Sequence, residues 1–130
     1  VPLHLWSSSR YAIPLPPGHR FPVEKYAMLR ERVVSEGLVA VGQIFDPPRA
    51  MPEELLRVHT EEYVHRVAAG LLDSAEVRRL GFPWSPQLVE RSLRAVGGTL
   101  EASARALSHG IAMNLAGGTH HAFAGHGEGF

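Results

Sequence analysis

The chain has 130 residues, 45% of them hydrophobic, which is enough apolar material for one modest core and too much for a disordered polypeptide. Thirteen basic and thirteen acidic side chains cancel, so no global field draws the chain to nucleic acid or to an anionic membrane. There is no cysteine, which removes disulfides and thiolate metal sites and fits a cytoplasmic setting; no apolar run approaches the roughly 18 to 20 residues of a membrane span.

Residues 3–6 (LHLW) are short and apolar enough for a buried strand, and the polar residues 7–10 (SSSR) lead out of it into a loop. Residues 11–22 (YAIPLPPGHRFP) hold four prolines and a glycine, a composition that excludes a helix interior and a central strand and leaves a shaped loop. Between 24 and 36, Tyr26, Leu29 and Val33 recur at helical spacing, and Gly37 stands where a C-terminal cap belongs. A second short strand is expected within 41–48. Two helices follow, at 52–58 and 60–69, the latter opened by Thr60 as N-cap with Glu61 and Glu62 in its first turn and closed by Gly70.

The most sharply marked helix runs from 85 to 109: Ser85 is its N-cap, Pro86 takes the first helical position and Gly110 follows its end. Val89, Leu93, Val96, Leu100 and Leu107 form an apolar stripe, with Glu90–Arg94 and Glu101–Arg105 as i,i+4 pairs on the wet side. Gly97 and Gly98 cost about 1 kcal/mol each relative to alanine in a helix, which signals close approach of another backbone or a kink. Residues 111–115 (IAMNL) read as a buried strand. Helix followed at once by buried strand is the pattern of a parallel α/β sheet flanked by helices, with ligands at the carboxyl ends of its strands. His120 and His121 lie beyond such an end, in the glycine-rich closing stretch NLAGGTHHAFAGHGEGF.

None of the eight histidines gives H-x-H or H-x-x-x-H spacing, and adjacent side chains point to opposite faces of a strand or about 100° apart on a helix. His120 and His121 therefore suit divided labour better than shared chelation. One imidazole would be held by a carboxylate and the other would face a scissile group. The bland alternative is a pair of polar residues ending a strand. His126 reads as a loop residue, His59 and His65 as structural residues of a helix, and Trp6 and Trp84 as core. His19 and Arg20 sit in the proline-rich loop, which is rigid enough to present a side chain to a pocket. The stretch lacks the lysine and the residue order of a phosphate-binding loop.

The segment AMNLAGGTHHAFAGHGEGF resembles the part of the zinc-dependent histone deacetylase superfamily in which a strand leads into G-G-x-H-H-A and, after a short loop, G-F. LPPGHRFPVEKY is similar to the first substrate-side loop of bacterial deacetylase-like and acetoin-utilisation-type members. LLRVHTEEYVHRV is similar to their V-H-x-x-x-Y helix, and GGTLEASARAL to the helix before the dyad strand. The resemblance makes residues 1–130 the N-terminal part of a single deacetylase-like domain. It implies a deacetylase/arginase-type α/β fold and a zinc-activated water that attacks the carbonyl of an acetylated amine, of acetyl-lysine or acetylpolyamine type. Residue by residue, it implies that His120 is the dyad member turned toward a buried aspartate and His121 the general base and acid nearest the scissile amide. Phe130 would line the acyl-lysine tunnel with the Gly129 backbone beside it, and Arg20 would match the loop arginine at the pocket's inner end. The family's zinc ligands, Asp-x-His and a further Asp, follow the G-F; Asp46 and Asp73, the only aspartates here, match neither. The expectation is a chain that binds no zinc tightly, is inactive alone, and requires a complementing C-terminal segment. The alternative is a non-catalytic half-fold that self-associates or binds a partner. Both lead to an oligomer or a complex.

Overall fold

Strand β1 (His4–Trp6) is the middle of a three-stranded parallel sheet. On one side lies β2 (Ile44–Phe45), with Leu5 opposite Ile44 and Trp6 opposite Phe45; on the other lies β3 (Ala112–Asn114), with His4, Leu5 and Trp6 opposite Ala112, Met113 and Asn114. Parallel neighbours need long crossovers, and the chain supplies them with α1 (Lys25–Ser35) between β1 and β2, and with α2 (Pro52–Leu55), α3 (Glu61–Ala69), α4 (Ser74–Leu80) and α5 (Pro86–His109) between β2 and β3. An antiparallel hairpin of β4 (His120–Ala122) and β5 (Gly127–Gly129) completes the computed structural model, which describes residues 2–129. The α/β architecture, a parallel sheet flanked by helices, is the one expected from the alternation of helix and strand.

The terminal signals of the sequence act as they should. Thr60 Oγ1 accepts from the Tyr63 amide at 3.2 Å and Ser85 Oγ from the Leu88 amide at 3.0 Å, each satisfying one of the orphan donors of a first turn. The amides of Gly37 and Leu38 return to the carbonyls of Val34 and Val33 and close α1.

Elsewhere the structure corrects the expectation. The helix begun at Pro52 ends at Leu55 instead of 58. The segment 74–80, which has only Val77 and Leu80 to offer a core, is nonetheless helical, fixed by reciprocal bonds between Asp73 and the Glu76 amide and between Glu76 and the Asp73 amide, both 2.8 Å. The stripe assigned to α5 is not its most buried face. Leu107 is 91% exposed and Val96 is exposed, whereas Arg91, Gly97, Gly98 and Ala102 are buried. The cause is the close approach of the β2–α2 connection. A Cβ on Gly97 would stand 1.8 Å from the Pro48 carbonyl oxygen, while the Ala50 amide donates to Leu93 O at 3.0 Å and Arg94 Nη1 to Pro47 O at 2.9 Å. Of the two readings of the glycine pair, close backbone approach is the one observed. The Glu90–Arg94 pair forms at 2.8 Å and gains Arg49; the Glu101–Arg105 pair does not, because Arg105 Nε bonds His4 Nδ1 on β1 at 2.6 Å.

The core gathers Ile13, Phe21, Tyr26, Phe82 and Ala116, with Leu15, Val23 and Leu88 packed on it, so the proline-rich loop is a core element. Trp6 is buried as expected, and Trp84 is half-buried with its Nε1 donating to Val67 O at 2.8 Å. Among the described residues no helix is long and apolar enough to cross a membrane.

Candidate functional site

The segment after β3 is placed by bonds to the sheet. The Leu115 amide donates to Trp6 O at 2.8 Å, the Ala116 amide to Asn114 Oδ1 at 3.2 Å, and Asn114 Nδ2 to Ala95 O at 2.9 Å. Five residues, 115–119, then separate β3 from the histidine pair, which opens an antiparallel strand of its own beyond the parallel one. In that hairpin His120 faces Gly129, His121 faces Glu128 and Ala122 faces Gly127.

Alternation along β4 gives the two imidazoles different surroundings. His120 is half-buried: its Nε2 lies 2.6 Å from the Leu80 carbonyl, its Nδ1 2.8 Å from Thr119 Oγ1, and its ring meets Phe82 edge-on at 5.0 Å. A carbonyl only accepts, so Nε2 carries a proton, and in the singly protonated ring Nδ1 is the acceptor for the Thr119 hydroxyl. His121 is exposed, and its Cδ2 stands 3.3 Å from where a Cβ on Gly129 would be. Gly129 has φ +116°, a conformation L side chains rarely adopt, so only glycine lets the strand run this close to the ring. The structure thus brings His120, His121 and Gly129 together. Phe130 lies outside the described residues. Arg20 is exposed between His19 and Phe21, and is not part of the groove wall among the described residues.

Three further histidines hold this region. His19 Nδ1 accepts from the Phe21 amide at 3.2 Å, so its Nε2 is the protonated nitrogen and donates to Gly81 O at 2.9 Å. His59 Nδ1 donates to Phe123 O at 2.8 Å beside the bond from the Thr60 amide to Ala124 O at 2.9 Å, tying the hairpin turn to the start of α3. His126 stacks on Phe123 at 4.2 Å and is half-buried.

The pair lines an apolar groove of about 370 Å³ that runs from Ile13 and Tyr26 past Tyr63, Phe82 and Arg91 to His120, His121 and His126. Its size lies within the range of small-molecule sites, and a few polar groups in an apolar wall are their usual makeup. Burial and the charge of Glu76 push the Tyr63 phenol up from its ordinary pKa, and burial pulls the Arg91 guanidinium down. Tyr63 was read from sequence only as the tyrosine of the V-H-x-x-x-Y helix, with no catalytic role, and Arg91 was not singled out. Arg91 was legible in principle, since Arg91, Ala95, Gly98 and Ala102 form a face of small residues around one cation. A wider polar depression of about 510 Å³, walled by Ser7, Arg10, Glu31 and Asp46, shares no lining residue with the groove. Among the described residues no group of three His, Asp or Glu side chains could hold a metal ion. The described residues do not form a zinc site.

The histone deacetylase domain model matches residues 19–130. The chain is 42% identical over 120 residues to an uncharacterised protein of Picosynechococcus, covering 92% of this chain and 40% of that protein. It is 32% identical over 119 residues to histone deacetylase 2 of Arabidopsis thaliana, covering 86% and 30%, and 37% identical over 99 residues to the acetoin utilization protein of Bacillus subtilis, covering 68% and 26%. Among solved structures, a histone deacetylase homologue from Aquifex aeolicus superposes with a TM-score of 0.76 at 26% identity, covering all of this chain and 38% of that one. The chain spans between a quarter and two fifths of the length of these proteins.

Proposed function

Because the chain belongs to the histone deacetylase family, we propose that its groove receives the acylated side chain of an acetyl-lysine or acetylpolyamine type substrate, with His121 as the group that moves protons at the scissile amide. The observation that carries this reading is the asymmetry of the pair. His120 has both ring nitrogens engaged and a fixed tautomer, whereas His121 is exposed at the groove with the Gly129 backbone against its ring. A general acid and base needs an accessible nitrogen and a defined position, and His121 has both. The chain alone is inactive in this reading, since among the described residues no group of side chains could hold a metal ion.

The experiment is complementation. The part of the Picosynechococcus relative outside the 40% that this chain covers is supplied in trans or fused after Phe130, and hydrolysis of an acetyl-lysine peptide is followed. Turnover that requires both pieces supports the reading; turnover by the 130-residue chain alone, or none in the assembled pair with zinc present, refutes it.

A second reading, self-association, is favoured by the outer edge of β3, which has no strand partner among the described residues. Ile111 and Met113 are exposed there, and Leu107 on α5 is almost fully so. Unpaired strand edges with apolar flanks are templates for pairing. Light scattering separates the two, since a monomer across micromolar to millimolar concentration excludes it.

A further inference from the structure

The polar depression between α1 and the carboxyl ends of β1 and β2 is lined by two charges of opposite sign that pair with nothing else in the chain. Ala27, Arg30 and Glu31 stand at i, i+3 and i+4 on α1 and line it together. Arg10 and Asp46, after β1 and β2, pair with each other at 3.0 Å, and the Tyr11 hydroxyl donates to the same Asp46 Oδ2 at 2.8 Å. Arg30 is half-buried and Glu31 exposed, and neither side chain has a hydrogen bond or ion pair among the described residues. Successive residues of a helix do not face one another, so these opposite charges stand side by side without neutralising each other. Ser9 Oγ accepts from Ser7 Oγ at 3.1 Å, which keeps its own proton available to an acceptor.

The balance of charge selects the class of ligand. Two guanidiniums and two carboxylates line the depression, so neither a simple anion nor a simple cation gains from a net field. A molecule carrying both charges meets both unpaired groups at once. Ile44 and Phe45, the latter 40% exposed, offer apolar surface to its body. The carboxyl ends of parallel strands are where α/β sheets take ligands, and about 510 Å³ is within the range of small-molecule sites. We propose that this depression binds a small zwitterion with an apolar side chain, of the free α-amino acid class. Its carboxylate lies on Arg30 and the Ser9 hydroxyl, its ammonium on Glu31 and Asp46, and its side chain against Phe45. The site shares no lining residue with the histidine groove, so it stands or falls independently of the deacetylase reading.

The test is titration of the 130-residue chain with L-leucine and with two shape-matched controls that each lack one charge. Isocaproate is leucine without its ammonium, and isoamylamine is leucine without its carboxylate. Binding is read by calorimetry and by the side-chain resonances of Arg30 and Phe45. Leucine is expected to bind at least about tenfold more tightly than either control, one charge-assisted hydrogen bond being sufficient for that ratio. Arg30→Gln should reduce leucine to the level of isoamylamine and Glu31→Gln to the level of isocaproate, circular dichroism confirming that each variant is folded. Equal binding of the three compounds, no binding of leucine at tens of millimolar, or resonance shifts at His121 and Tyr63 in place of Arg30 and Phe45 would overturn the proposal. So would an undiminished leucine preference in both folded variants. The three-compound comparison on the unaltered chain decides it even if the variants unfold.

Discussion

His19 and His120, 101 positions apart in the chain, donate their Nε2 protons to the consecutive carbonyls of Gly81 and Leu80 at the end of α4. The last carbonyls of a helix lack intrahelical partners, and here two imidazoles supply them, one from the proline-rich loop and one from the histidine pair. Both rings also pack on Phe82, at 5.7 and 5.0 Å. The end of a seven-residue helix is thus the post to which both loops are tied.

His120→Ala should therefore lower stability by about 1–2 kcal/mol, the scale of one net hydrogen bond plus an aromatic contact. His19→Ala should cost a similar amount, whereas exposed His121→Ala should stay within about 0.5 kcal/mol. Urea unfolding of the three variants checks the order, and equal losses from all three would contradict it.

The glycine pair of α5 allows a sharper contrast. Gly97→Ala would drive a Cβ into the Pro48 carbonyl at 1.8 Å, a backbone clash that only a shift of the β2–α2 connection relieves, and should cost more than about 3 kcal/mol. Gly98→Ala meets the Asn114 side chain at 3.0 Å, which can give way, and gains about 1 kcal/mol of helix propensity. Its net effect should lie within about 1 kcal/mol. Thermal melts of the two variants measure the difference.

These two positions also mark how far the sequence could be read. Signals that act within one turn, such as Thr60, Ser85 with Pro86, and Gly110, placed helix ends correctly because the chemistry is local. The glycine pair announced a neighbour without naming it, and Pro48 supplies it from 49 residues upstream. The apolar stripe failed because amphipathicity counts side chains, and the face that meets Pro47–Ala50 needed absence of side chains. The family resemblance set His120 and His121 side by side and Gly129 beside Phe130, but it said nothing of a strand that pairs His120 with Gly129. The roles of His19 and His59 as staples were not foreseen, since a histidine donating to a distant carbonyl leaves no periodic trace. The hairpin of β4 and β5 was hidden by its brevity, three residues a side with two glycines in the second strand.

Acid should weaken the fold in two stages. His4 has its pKa lowered by burial and by Arg105 and His109, so the fold favours its neutral form; that stability is complete above the ordinary value of 6.5 and falls away as pH drops below it. The carboxyls of Glu76, held down first by Arg66, of Asp73, by the Glu76 amide, and of Glu90, by Arg49, also have depressed values. Their contribution is present above their ordinary pKa values of 3.8 to 4.5 and is lost as pH falls through the lower folded values. Melting temperature measured from pH 8 to 3 should decline in both windows. Glu76→Gln should flatten the lower one and leave the upper one in place.

The last prediction concerns the assembled domain, where His121 and His126 can be compared directly. Both line the groove and lie five residues apart, so proximity alone does not rank them. Their surroundings do. His126 is stacked on Phe123 at an interplanar angle of 7°, in the turn that His59 and Thr60 tie to α3, so its ring shapes the turn. His121 is exposed beside Gly129 and stands next in the strand to an imidazole with a fixed tautomer. A proton-transfer group is typically worth about 10² to 10⁴ in rate, whereas a stacked ring in a turn affects rate only through position. In the complemented enzyme His121→Ala should lose about 10² to 10⁴ in kcat, and His126→Ala less than about tenfold. If His126→Ala proves as damaging as His121→Ala, the proton-moving role belongs to the turn and the assignment to His121 is wrong.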